Sequence, residues 1–165
     1  MPNLAARAKQ IAQRELAEDP GGLRTAAWSV EAVEMLLVED LGVDVDVTMA
    51  AAWATATIGA GCWMDEGPGY EVDDVRRALG DQVARLVSWA EQDEWQSDDD
   101  YLRDLMEAGP VEARLIALAR TVVATVSGPR VTERQAQRVM RLAMSIPALL
   151  PRVVAAAWPV VSGEA

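Results

Sequence analysis

The chain has 165 residues, 51% of them apolar, enough for one domain with a sizeable core. A net charge of −11 and a pI near 4.4 argue against nucleic acid or an anionic membrane surface as partner. With no histidine and one cysteine, Cys62, there is no imidazole base, no internal disulfide and no thiolate metal cluster.

No segment alternates with the period of two that marks a half-buried strand, so the expected fold is all-α. Leu4, Ala8, Ile11, Ala12 and Leu16 fall at helical spacing over 4–16. Asp19-Pro20-Gly21-Gly22 is a turn. Ser29 is a candidate cap for a second helix reaching 38, apolar at Val30, Val33, Leu36 and Leu37 and ended by Gly42. Asp46 then reads as the N-cap of the central helix, 49–61, MAAAWATATIGAG. Its small side chains let neighbouring helices approach closely. Gly59 and Gly61 weaken its end by about 1 kcal/mol each relative to alanine. A loop over 62–69 follows, holding Trp63, Met64, Asp65 and Glu66.

A short helix over 72–79 closes at Gly80, and another spans 82–91 with Val83, Leu86, Val87 and Ala90 inward. The polar stretch 92–100 reads as a solvated connection. A helix over 101–108 stops at Gly109-Pro110, and Pro110 suits the start of the long apolar helix 111–126. Gly128-Pro129 breaks that helix. Thr132 with Gln135 matches a capping box for a helix through Ser145, and Pro147 opens a last helix to about Trp158. The expected architecture is a single-domain bundle of eight or nine helices. No apolar run reaches the roughly 20 residues that span a bilayer, and MPNLAARAKQ has no apolar leader core, so the expected location is the cytoplasm. Phe is the ordinary aromatic core filler, yet the chain has six Trp and no Phe.

Four segments keep a common order and spacing: Asp19-Pro20-Gly21-Gly22 leading to Trp28, Ala51 to Ala60, Val72-Asp73-Asp74-Val75 through Gly80 to Leu86-Val87, and Leu115 to Ala124. Over residues 4–126 the chain resembles the HD-domain superfamily, and within it the small stand-alone (p)ppGpp hydrolases. The resemblance implies an HD-domain-like helical bundle. It also implies where that family's metal site would fall. Trp28 stands at the first metal histidine, and Thr55 and Ala56 stand at the His-Asp pair. Gly59 and Ala60 replace the Glu-Asp pair that assists the attacking water. Arg120 stands at the last aspartate and Ala124 at the asparagine after it. A hard or borderline cation finds no donors in that set, and no metal-bound water is activated there. The expectation is no metal, no cofactor and no inherited hydrolysis. Complete loss of the donors suits a redesigned scaffold as well as a natural pseudoenzyme.

Two fates are open to the vacated volume. Either Trp28 and Trp53 collapse into it, or it persists as an apolar, Trp-lined pocket bordered by Trp28, Thr55, Ala56, Gly59, Trp63, Arg120 and Ala124. A buried Arg120 needs a counter-charge, Glu31 or another acid, or else anchors a ligand carboxylate, phosphate or carbonyl. Trp28 either packs in the core or stacks on a flat ligand. Asp65, Glu66 and Glu31 are candidate metal-free bases, set against their plain reading as solvated charges. Ser-His-Asp chemistry needs a histidine the chain lacks, and the one lysine, Lys9, lies on the first helix. The run Asp98-Asp99-Asp100 is a candidate cation site, set against its plainer reading as acids at a helix start that complement the dipole.

The expected function is binding of a small apolar or aromatic ligand with an anionic or carbonyl group. Proton abstraction, cyclisation or elimination is the chemistry open to such a site. The alternative is a regulatory pseudoenzyme acting through protein contacts, with 92–100 as its surface. A third reading keeps nucleotide hydrolysis with other residues.

Overall fold

Helices account for every regular element in the computed structural model, which describes residues 3–17, 30–57, 71–92, 95–127, 131–147 and 151–152. Among these residues there are eight principal helical elements and no strand. They are α1 (Leu4–Ala17), α2 (30–40, ending in the π-helical turn Leu36–Asp40), α3 (Asp46–Thr55), α4 (Val72–Leu79), α5 (Asp81–Ala90), α6 (Asp98–Ala108), α7 (Val111–Val126) and α8 (Glu133–Met144). None is long and apolar enough to cross a membrane.

The central helix is α3. Every residue from Thr48 to Thr55 is buried, because alanines at 50, 51, 52 and 54 offer no bulky polar side. It packs against α1, α5 and α7. One apolar cluster runs through the bundle from Ala8 of α1 to Ile146 beyond α8. Trp53, 1% exposed, is its largest fully buried side chain.

Asp46 does not cap its own helix. Val45 is the N-cap of α3 and makes no side-chain bond there. The Asp46 carboxylate instead accepts from the Leu4 and Ala5 backbone N–H groups, both at 2.9 Å. The start of α1 needs this: its first turn has no acid, and Asn3 Oδ1 takes only the Ala6 N–H. The close packing of α1 on α3 brings an acceptor from 41 and 42 residues away. After Thr55 the chain turns at 56–57, and Gly59 and Gly61 lie outside the described residues.

The α7 boundaries match the expected ones, and Pro110 is the N-cap. The Thr132–Gln135 capping box forms as expected, and Glu71 with Asp74 forms a second one on α4. Gly80, at φ 94°, makes the corner between α4 and α5. One expectation moves: α6 begins at Asp98, so part of the supposed connection is helix. Ser97 Oγ accepts from Asp100 N, and three aspartates fill the positive first turn. Helix α8 buries Val139, Leu142 and Ala143. It is tied to α6 by Asp98–Arg134 at 2.7 Å and Asp99–Arg141 at 2.6 Å. Of the expected last helix, Pro147 sits in a 3₁₀ turn and 151–152 are helical, and the rest lies outside the described residues.

Candidate functional site

Positions 117, 120, 121 and 124 share one face of α7, since three- and four-residue steps bring side chains together on a helix. Three of them are Ala117, Thr121 and Ala124, too short to fill the space beside the helix. The hydroxyls of Thr121 and Thr125 donate to the carbonyls of Ala117 and Thr121, at 2.7 and 2.6 Å, so their donors are spent within α7. Ala90 and Glu91 at the end of α5, Tyr101 of α6, and Gln135 and Arg138 of α8 supply the other walls. Together they enclose a cleft of about 400 Å³, a size that suits small-molecule ligands.

Arg120 lies on that cleft with its side chain 37% exposed. Its Nη1 donates to Glu91 Oε1 at 2.6 Å and to the Ala90 carbonyl at 3.4 Å. The counter-charge is therefore Glu91 rather than Glu31, which is exposed on α2. Burial pushes the Glu91 carboxyl above its ordinary value, and Arg120 only partly offsets this. The Tyr101 hydroxyl donates to the same Ala90 carbonyl at 2.8 Å. Burial holds its phenol up at about 12, so it stays a neutral donor.

Arg138 closes the far side. Its guanidinium carbon lies 5.3 Å from the Tyr101 ring centre, a cation–π distance. Among the described residues its nearest carboxylate is Asp98, 3.7 Å from its Nη1. Asp98 is already occupied by Arg134 at 2.7 Å and Gln92 Nε2 at 3.0 Å. The Gln92 bond, with help from Arg138 and Arg134, holds its carboxyl below the usual range. The Nε of Arg138 is buried with no partner among the described residues.

Of the residues expected at the site, Arg120 and Ala124 come together in this cleft. Thr55 is 3% exposed at the end of α3, and its hydroxyl donates to the Ala52 carbonyl at 2.8 Å. Ala56 is half-buried beyond it. Neither lines the cleft. Trp28, Gly59, Trp63, Asp65 and Glu66 lie outside the described residues. Trp53 is core, with the Lys9 ammonium 4.7 Å from its ring centre and Glu34 3.0 Å from Lys9 Nζ.

Sequence reasoning missed Glu91, Tyr101, Gln135 and Arg138. The arginines at 134, 138 and 141, spaced four and three apart, were the available signal for a charged face on α8. Nothing local ties Glu91 to Arg120, 29 residues on. Among the described residues no three His, Cys, Asp or Glu side chains converge as a metal site, and Glu91 and Asp98 are committed to guanidinium groups. No family model and no curated protein matches the chain.

Proposed function

We propose that this chain is a metal-free small-molecule-binding protein on a degenerate HD-hydrolase scaffold, with the cleft along α7 as the ligand seat. The observation that supports the reading is the state of Arg120. Only its Nη1 is engaged, and Nε and Nη2 make no hydrogen bond among the described residues. A half-exposed guanidinium with free donors, beside a cleft lined by the buried Ala117 and the exposed Ala124, suits a ligand with an apolar or aromatic body and an anionic or carbonyl group. In the cleft the cation Arg120 faces the acid Glu91, which balances charge there without a metal. Glu91 lines the same cleft beside Arg120, so a metal-independent proton abstraction there would fall to its carboxylate.

The test is a small-molecule panel titrated against the full chain, followed by thermal shift and calorimetry. Ala124→Trp should block the cleft and abolish any response. A titration identical in wild type and Ala124→Trp would refute the assignment. Metal in the purified protein with manganese-dependent pyrophosphate release from ppGpp would restore the hydrolase reading.

A second reading, a pseudoenzyme that binds a protein, is favoured by Trp95, 88% exposed within the acidic stretch 92–100. An exposed indole among carboxylates suits a basic partner. Trp95→Ser would then remove binding to basic peptides and leave the small-molecule titration unchanged.

A further inference from the structure

The cleft carries more cationic donor capacity than its own acceptors use, and the surplus lies on two different helices. Arg120 comes from α7 and Arg138 from α8. Both approach Tyr101. Its hydroxyl shares the Ala90 carbonyl with Arg120 Nη1, and its ring lies under the Arg138 guanidinium. The two cations therefore flank one tyrosine.

Neither cation is saturated. Arg120 gives one nitrogen to Glu91. Among the described residues Arg138 has no carboxylate at hydrogen-bond length, because Asp98 is drawn to Arg134 and Gln92, and its Nε is buried without an acceptor. A buried donor left unmade is costly, and native structures satisfy nearly all of them. Gln135 adds to the surplus. Its Oε1 accepts from Thr132 in the α8 cap, at 2.9 Å from the backbone N, which leaves its amide NH₂ without a partner among the described residues.

Resting on the ligand-binding reading above, we infer that the cleft selects oxyanions, with Arg120 and Arg138 as a two-guanidinium clamp on one carboxylate- or phosphate-type group. A guanidinium presents parallel N–H donors in a plane, which match two oxygens of such a group. A neutral amide or alcohol offers fewer acceptors and no charge. The chain's overall charge of −11 does not prevent this. At physiological ionic strength, surface charges farther away than about 8 Å are largely screened.

The experiment titrates benzoate, phenyl phosphate and benzamide into the full chain by calorimetry. The proteins are wild type, Arg138→Gln, Arg138→Lys and Ala124→Trp, each checked by circular dichroism for native helicity. The clamp requires at least one oxyanion to bind about tenfold or more tighter than benzamide. Whichever of benzoate and phenyl phosphate binds tighter identifies the oxyanion. Arg138→Gln should erase that margin and leave benzamide unchanged, and Arg138→Lys should recover part of it. Ala124→Trp should block all three.

Equal binding of benzoate, phenyl phosphate and benzamide would overturn the clamp. So would an oxyanion affinity untouched by Arg138→Gln. In both cases, blockage by Ala124→Trp would leave the cleft standing as a ligand seat. No binding of any of the three to wild type at millimolar concentration would overturn the clamp and count against the seat as well.

Discussion

Removing the Asp46 carboxylate should unpin α1 from the central helix. In Asp46→Ala, the Leu4 and Ala5 N–H groups both lose an ionised acceptor at 2.9 Å. Loss of an N-cap side chain costs about 0.5–2 kcal/mol, and loss of a negative charge at the positive end of a helix adds about 0.3–1 kcal/mol. The bonds are partly buried, so the upper half of the range applies, about 2 kcal/mol. Asp46→Asn keeps one acceptor oxygen and no charge, and should lose about half as much. Urea unfolding reads this directly. With a slope of about 1–3 kcal/mol per molar for a small protein, the midpoint for Asp46→Ala should fall by roughly 1 M at unchanged slope. Amide exchange at Leu4 and Ala5 should accelerate ahead of the rest. A midpoint that does not move, or equal losses for Asn and Ala, would refute the cross-helix cap.

Gly80→Ala should cost about 1–2 kcal/mol although nothing lies within 4 Å of the added carbon, because φ at 94° is strained for an L side chain. A thermal midpoint equal to wild type would contradict this. Glu91 has a raised folded-state pKa, so the folded chain binds the extra proton. Its contribution is greatest at low pH and declines as pH rises through the raised value. Glu91→Gln should flatten that part of the stability–pH curve, and an unaltered slope would be the contrary result. Asp98 is lowered, so its contribution is present above the ordinary carboxylate range and lost as pH falls through the lowered value. Asp98→Asn should remove that acid-side loss. Indistinguishable acid limbs in Asp98→Asn and wild type would count against the Gln92–Asp98–Arg134 link.

Much of the fold was legible because the chain is punctuated. Gly109-Pro110 and Thr132 with Gln135 fixed the starts of α7 and α8 to within a residue, since proline, glycine and capping side chains act on the backbone beside them. The start of α6 was open to the same logic: Ser97 followed by three aspartates is a cap and an acidic first turn, and those aspartates suited a helix start even where the polar stretch 92–100 read as a connection. Asp46 was not open to it. Its position suits a local cap, and only tertiary packing reveals that its target lies in another helix. The site divides the same way. Position 120 stood out as a cation on an apolar helix, but its setting depends on α5, α6 and α8 converging, which no periodicity encodes.

Ala124 separates a scaffold kept for stability from one kept for binding. A half-buried ion pair such as Glu91–Arg120 adds little net stability over apolar packing of the same volume. A chain selected for stability alone gains by filling the space beside it. Ala124 is on the open side of the cleft. Ala124→Leu adds three carbons there, and at about 0.8 kcal/mol per fully buried CH₂, with burial only partial, should raise stability by about 1 kcal/mol. The same change occupies the ligand's volume. Natural sites commonly sacrifice stability in this way to keep a cavity open. A more stable Ala124→Leu that has lost the oxyanion response is the expected pair of results. If Ala124→Leu is more stable and still binds as wild type does, the ligand sits elsewhere. If it is less stable with native helicity, the cleft is already fitted to its own side chains, and alanine at 124 is a packing choice.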